Sequence, residues 1–397
     1  MANKPRIAVL SPFLDKRHGT ERCVAEQVER LADRCEIHLY SERVEDVDLS
    51  KIVWHRIPAL PGPHLFRFLW WFAANHLWRW RDRRFGGFVP DLVYSPGPNS
   101  LDADVISVHI VFAEFHRQVK AELSLRHNPL VAWPQLIHRR LYYHLAEALE
   151  GRAYTRANLA LAAVSRKVAG DLAGFRGQNN HLPIIYNGVD VARFEPRRRA
   201  CLRDGARRAF QLSEKDLAVA LIGNDWKKKG LPTLLEAVGE LERTFLRLLV
   251  VGRDMPDPYR AAIARCHLAD RVSFLPPRAD VEFYYAAADA YVGPSLEDAF
   301  ALPPLEAMAC GLPVIVSSQA GVSELITDGV DGLILEDPRD AASLAKLIST
   351  LAGDPGLRKR LGENARKTAC HYTWDRNAEQ LGALFDEVLA KKESAWR

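Results

Sequence analysis

No Cys-x-x-Cys pair occurs in the sequence: the cysteines (Cys23, Cys35, Cys201, Cys266, Cys310 and Cys370) stand singly and far apart. That spacing excludes a zinc-ribbon ligand set and a disulfide framework, so buried free thiols in a reducing compartment are expected. Long hydrophobic runs are also missing. The longest uncharged apolar-aromatic stretch, FLWWFAANHLW at residues 68–78, falls short of the roughly 18 residues that span a bilayer. No transmembrane helix is expected. The opening segment, MANKPRIAVLSPF, has no apolar signal region and reads as the first β-strand of a cytoplasmic chain. Neither G-x-G-x-x-G nor G-x-x-x-x-G-K-[ST] is found, which removes most support from nicotinamide-dependent and P-loop readings.

What is present is the composition of a folded protein, with 48% hydrophobic and 26% charged residues over 397 positions, enough for two domains. The net charge of +4 is unevenly shared. Residues 1–190 hold 25 basic and 20 acidic residues and the remainder 29 and 30, giving +5 and −1. The excess is too weak and scattered for nucleic acid.

Short β-rich runs alternate with helical stretches: RIAVLSPF, CEIHLY, IVWHRIP, DLVYSPG, DVISVHIVF and LALAAVS, then LAVALIGN, RLLVVGR, RVSFLPP, AYVGPS, PVIVSSQ and GLILE. The rhythm predicts right-handed βαβ units, and the fold class is α/β with two Rossmann-like, doubly wound parallel-sheet domains. Their junction is placed at PIIYNGVDVARF (residues 183–194), where a strand is expected to stop at an Asn-Gly turn. Ligands of such sheets gather beyond the carboxyl ends of the strands, so an interdomain cleft is expected to hold the site.

Four strand-end loops carry candidate chemistry. Gly19 and Thr20 stand between the first strand and the first helix, where a glycine lets amides approach a phosphate; the same pattern also starts an ordinary helix. GNDWKKKG (residues 223–230) places Lys227, Lys228 and Lys229 at another strand end, a set suited to a diphosphate. His109 closes a core strand, a place where a lone histidine is more often structural, but also the carboxyl end of a parallel strand, where ligand-facing groups gather. EDAFALPPLEAMACG (residues 297–311) has Glu297 and Asp298 in a loop and Glu306 in what is expected to be the first turn of a helix, with Pro304 in that turn. One carboxylate in the loop and one at the helix start suit two separate hydroxyl-bearing parts of one ligand.

These residues carry a resemblance. The chain is similar to the retaining, GT-B-fold glycosyltransferases of family 4. The likeness rests on the acidic residue and glutamate separated by seven positions (Asp298 and Glu306) before AMACGLPVI. NGVD at 187–190, the Lys229-Gly230 pair, DVEFYYAAADAYVGPS at 280–295 and GVSELITDGVDGLIL at 321–335 add to it. GNDWKKKG and the helical insertion at residues 138–165 are most similar to lipopolysaccharide core glucosyltransferases.

The resemblance implies an acceptor-binding domain, residues 1–186, on which a helix of about 375–397 packs back, and a donor-binding domain, residues 187–374. It implies that Glu306 holds ribose hydroxyls and Asp298 the hydroxyls of the transferred sugar. Phe300, Ala301 and Leu302 would offer amides, and Lys229, with Lys228 and Asn224 beside it, would meet the diphosphate. Gly19 and Thr20 would approach from the other domain, His109 would contact the sugar, and the loop at Pro277 and Arg278 would sit by the base. Three departures stand out: His18 in place of the first glycine of a paired-glycine loop, Asn224 where many members have arginine, and Asp298 for the more usual glutamate, with Glu297 adjacent.

The activity implied is transfer of a hexose from a nucleotide diphosphate sugar, UDP-sugar favoured, to a glycan or lipid-linked acceptor in cell-envelope or lipopolysaccharide synthesis. Anomeric configuration would be retained, with neither cofactor nor metal. A GDP-mannose-dependent mannosyltransferase and a catalytically idle nucleotide-sugar-binding protein are the alternatives. Residues 64–84, with Trp70, Trp71, Trp78 and Trp80, and with Arg79, Arg81, Arg83 and Arg84 toward the end, fit an interfacial helix on the anionic inner face of the plasma membrane, and equally a helix packed on the first sheet.

Overall fold

The computed structural model describes residues 4–120, 123–124, 131, 133–175, 182–241 and 244–395. The chain divides into two compact units, one of Met1–Tyr186 with Asn377–Arg397 and one of Asn187–Arg376.

The first unit contains β1 (Arg6–Leu10), β2 (Phe13–Leu14), β3 (Glu36–Ser41), β4 (Arg43–Val44), β5 (Ile52–Arg56), β6 (Leu92–Pro96), β7 (Val105–Val108) and β8 (Ala160–Ala163). Six of these form a parallel sheet in the order β5-β3-β1-β6-β7-β8, and β2 and β4 make a small separate pair. The central strands are buried along nearly their whole length, as their unbroken apolar runs require of strands covered on both faces. Val24, Val28 and Leu31 of the helix Gly19–Leu31 join Leu381, Phe385 and Val388 of the helix Trp374–Ala395 in its core.

The second unit repeats the scheme with β9 (Leu217–Ile222), β10 (Leu246–Val251), β11 (Val272–Leu275), β12 (Ala290–Gly293), β13 (Val314–Ser317) and β14 (Leu333–Leu335), again all parallel, in the order β11-β10-β9-β12-β13-β14. In each sheet the chain starts at the centre, builds to one side and then crosses to the other. That order creates a switch point where neighbouring strands send their connections in opposite directions, between β1 and β6 in one unit and between β9 and β12 in the other.

Two local expectations are corrected. The strand expected at PIIY is a single bridge between Ile184 and Ala163, too short to extend the sheet. The helix carrying Glu306 runs Leu302–Ala309, so Glu306 lies in its second turn, not its first. The helix starts early because Ala301 supplies the turn, and because Pro303 and Pro304 occupy positions whose N–H groups would have no helical partner.

Candidate functional site

At the switch point of the second unit, the loops after β9 and β12 are drawn together by the pairing of those strands. The first loop is braced from below: the amides of Asp225 and Trp226 donate to the Asp254 carboxylate at 3.1 and 2.6 Å, and the Trp226 ring is buried. A tight turn follows, in which the amide of Lys229 donates to the Asp225 carbonyl at 2.9 Å. Gly223, at φ +144°, would bring a Cβ to 3.0 Å from Lys229 Cε, so the absence of a side chain lets the lysine stem fold back over the strand end. Gly230, at φ +79°, would bring a Cβ to 1.9 Å from the Pro294 carbonyl oxygen. Only glycine permits that approach. The amide of Leu296 completes the junction by donating to the Lys228 carbonyl at 2.7 Å.

Lys229 and Asp298, 69 positions apart in the chain, thereby form an ion pair, with side chains 18% and 19% exposed. The other Asp298 oxygen, Oδ1, accepts from the Phe300 amide at 3.2 Å. Three backbone bonds tie this loop to the segment after β13: Asp298 N to Gln319 O at 3.1 Å, Gly321 N to Asp298 O at 3.1 Å and Val322 N to Phe300 O at 2.7 Å. The loop ends at Ala301, a non-glycine residue at φ 71°, ψ 101°, a conformation that stores on the order of 1–3 kcal/mol of strain. Pro303 and Pro304 remove two of the N–H groups a helix start normally offers, so the amides of Ala301 and Leu302 are the ones left to present.

Glu306 is 4% exposed. Its Oε2 accepts from the Tyr285 hydroxyl at 2.7 Å, which fixes the carboxylate's orientation. Burial first, and then the Glu306 carboxylate, hold the Tyr285 phenol well above its ordinary pKa. Tyr291, buried on β12, is likewise raised by burial and then by the charges of Asp298 and Glu306, so both acids act on one phenol. The two tyrosines belong to the FYYAAADAY run, and sequence reasoning treated that run only as a pattern.

Asn224 is exposed, and its side-chain oxygen accepts from the Arg253 amide at 3.1 Å. Lys228 lies 3.8 Å from the Asp225 carboxylate. Arg278, in the loop after β11, pairs with Asp280 through two contacts of 2.8 Å and lies over the Phe283 ring. All of these share the carboxyl-end edge of the second sheet.

The remaining candidates belong to the first unit. Gly19 opens the helix Gly19–Leu31, with Thr20 next to it. A Cβ at Gly19 would meet no atom within 4 Å, so packing does not demand a glycine there. His18 precedes them, and its Nδ1 lies 2.8 Å from the buried Asp15 carboxylate, which also accepts the Arg17 and His18 amides at 2.8 and 2.9 Å. Burial opposes the charge on Asp15, but these bonds outweigh it and hold the carboxyl below its usual range. His18 thus stiffens a turn that a glycine would leave loose. His109 follows β7, half-buried, and burial pushes its imidazole down to about 4. It is therefore neutral near pH 7.

Among the described residues the one group with metal-ligand spacing is His116, His144 and Glu147, whose ligand atoms lie within 4.8 Å of one another; none of the site residues belongs to it.

A family model described as Glycosyltransferase Family 4 matches residues 17–193, and one described as Glycosyl transferases group 1 matches residues 203–368. D-inositol 3-phosphate glycosyltransferase of Salinispora arenicola is 33% identical over 247 residues, covering 58% of this chain and 55% of that protein. Its counterpart in Actinosynnema mirum is 34% identical over 219 residues, covering 52% and 51%. The chain spans about half the length of the curated relatives it matches. Among solved structures, WaaG, a glycosyltransferase involved in lipopolysaccharide biosynthesis, superposes with TM-score 0.77 at 20% identity over 95% of this chain and 99% of that one. Anabaena Alr3699/HepE in complex with UDP and glucose superposes with TM-score 0.69 at 19% identity over 97% and 100%. These likenesses show the fold.

Proposed function

The chain belongs to the family 4 glycosyltransferases of the GT-B fold, and from that premise we propose that it transfers a hexose from a nucleotide diphosphate sugar, with retention, to a glycan or lipid-linked acceptor of cell-envelope synthesis. The observation that carries this reading is the switch point of the second sheet, where one ammonium group, one strained backbone turn and two carboxylates share an edge. The expected donor is a UDP-sugar; a structural neighbour solved with UDP-glucose favours that choice over GDP-mannose.

In this reading Glu306, oriented by Tyr285, accepts hydrogen bonds from vicinal ribose hydroxyls. Asp298 accepts from hydroxyls of the hexose. Lys229 meets the negative charge that builds on the departing diphosphate. Without a ligand, Lys229 and Asp298 satisfy each other; an incoming donor replaces one pair by two, phosphate with lysine and sugar hydroxyl with aspartate. Because the ammonium is held in place beforehand by Gly223 and Gly230, little reorganisation is needed when charge develops. The amides of Ala301 and Leu302 and Lys228 add to the same field. A lysine-based clamp supplies the role a divalent ion has elsewhere, so transfer without added metal is expected. Gly19, which packing does not require, is assigned to phosphate approach, and neutral His109 to the donor sugar.

The helix His64–Phe85 buries Trp71, Ala74 and Asn75, while Phe66, Leu69, Leu77 and Trp80 stand exposed on its other face at helical spacing. Ile137 and Leu141 of the neighbouring helix Trp133–Ala153 are exposed too. No helix among the described residues is long and apolar enough to cross a membrane. We therefore assign this surface to an anionic lipid headgroup layer, which Arg83 and Arg84 would face. Arg79 is corrected out of that set: it is bound bidentately to Asp102 at 2.7 and 2.8 Å.

The test is transfer or donor hydrolysis by purified protein across a panel of nucleotide sugars, read by mass spectrometry with and without chelator. Turnover of a UDP-hexose that survives chelation is expected. Binding of nucleotide sugars without any turnover would favour the idle alternative.

A further inference from the structure

In the first unit a chain of buried polar groups leads inward from His109. Starting at His109, Nε2 lies 3.3 Å from Ser107 Oγ, which lies 2.7 Å from the Tyr94 hydroxyl. Tyr94 donates to Gln27 Oε1 at 2.7 Å, Gln27 Nε2 donates to Asn377 Oδ1 at 2.9 Å, and Asn377 Nδ2 donates to the Tyr186 carbonyl at 2.8 Å. Ser107, Tyr94, Gln27 and Asn377 are between 1% and 5% exposed, so water does not compete for these groups. Three parts of the fold meet in the chain: neighbouring strands β6 and β7, the helix Gly19–Leu31, and the helix Trp374–Ala395.

Its polarity can be worked out from one end. A main-chain carbonyl only accepts. Asn377 must therefore turn its NH2 group to Tyr186 and its oxygen to Gln27. Gln27 must answer with its own NH2, which leaves its oxygen for Tyr94. The single phenolic proton is then committed to Gln27, so the Tyr94 oxygen accepts from the Ser107 hydroxyl. The Ser107 oxygen in turn accepts from His109 Nε2. Every step is forced by the donor and acceptor inventory, not by a choice of amide flip.

We propose that the Tyr186 carbonyl, acting through Asn377, Gln27, Tyr94 and Ser107, holds His109 in the Nε2–H tautomer and so leaves Nδ1 as a hydrogen-bond acceptor. Among the described residues Nδ1 has no hydrogen-bond partner, so its lone pair is available for a ligand hydroxyl. Burial keeps the ring neutral, and a neutral ring has a tautomer to fix. Gln27, Tyr94 and Asn377 are positioning residues in this arrangement. Tyr186 and Asn377 are also the last residue before the chain enters the second unit and the first after it returns. The tautomer thus depends on both crossing segments keeping their place in the first unit. This deepens the proposed contact between His109 and the donor sugar and rests on it for its use, but not for its existence.

The test is nitrogen-15 NMR of histidine-labelled, ligand-free full-length protein near pH 7, with the His109 resonances identified by their loss in His109→Gln. The expected spectrum shows a pyrrole-type Nε2 and a pyridine-type Nδ1. In Tyr94→Phe, which keeps the ring but cuts the relay, both nitrogens should move toward the averaged shifts of a tautomer mixture. Asn377→Asp, which still presents an acceptor to Gln27, should keep the wild-type pattern. Ser107→Ala, a smaller change, replaces Tyr94→Phe should that variant not fold. A protonated Nδ1 in the wild type, or a wild-type pattern in a folded relay-cutting variant, overturns the proposal. Because no ligand is present, these outcomes are independent of whether His109 touches the sugar. That reading is tested separately by the donor KM of His109→Gln, where no change would refute the contact and leave the relay standing.

Discussion

At the residue scale, the second unit depends on a few close approaches that sequence alone marks only as glycine. Gly230→Ala would combine a left-handed backbone with a Cβ 1.9 Å from the Pro294 oxygen. A loss of at least about 2 kcal/mol is expected from strain of this kind, read as a lower urea midpoint together with lost nucleotide binding. His109 gives a prediction with a sign. Its imidazole is depressed to about 4 in the folded chain, against about 6.5 when unfolded. Between those values the unfolded state binds the extra proton, so this group's contribution to stability is complete above about pH 6.5 and is lost as pH falls toward 4. Comparing urea midpoints of wild type and His109→Gln across that window isolates the effect. The difference between the two should shrink on acidification. A constant difference would contradict the burial argument.

At the element scale, the helix His64–Phe85 separates an inward-paired arginine from an exposed apolar and basic face that its sequence mixes. Arg79, with a side chain 9% exposed, holds Asp102, and the Asp102 carboxyl sits below its usual range because the bonds from Arg79 outweigh the opposing effect of burial. Arg79→Ala should therefore lower stability. Arg83→Ala with Arg84→Ala, and Trp80→Ser, should instead weaken cosedimentation with anionic vesicles and leave the melting temperature nearly unchanged. Vesicle binding indifferent to anionic lipid and to salt would contradict the lipid assignment. The same helix shows where sequence stops being informative. Its aromatic and basic content was plain, but which arginine points inward depends on Asp102, 23 positions away. The strands were legible because doubly covered β-strands must be continuously apolar. β2 and β4, two residues each, were not, since so short a run carries no periodic signal.

At the scale of the whole molecule, the chain builds two sheets of identical strand order and then returns to the first. Leu381, fully buried in that returning segment, packs against the first unit's core, and Lys392 donates to the Asp91 carbonyl at 2.8 Å and to Asp104 at 2.9 Å. Leu381→Ala should cost about 2–5 kcal/mol, seen as a lower melting temperature of the full chain. Loop motifs had already drawn attention to Asp298 and Glu306, because their spacing around a double proline is unusual. The Lys229–Asp298 pair and the Gln27–Asn377 bond, which join residues 69 and 350 positions apart, were out of reach. Both exist only once parallel pairing or the chain's return brings distant segments together, and neither has a local pattern.

The central claim is that Lys229, at the switch point of the second sheet, meets the diphosphate of a nucleotide donor. Calorimetric titration of UDP into wild type and Lys229→Ala at fixed ionic strength tests it most directly. A hydrogen bond to a charged group is worth about 1.5–3 kcal/mol, so the variant should bind roughly ten- to a hundredfold more weakly, measured well below a melting temperature that itself falls because the mostly buried Asp298 loses its partner. Equal affinity in the two proteins would contradict the account.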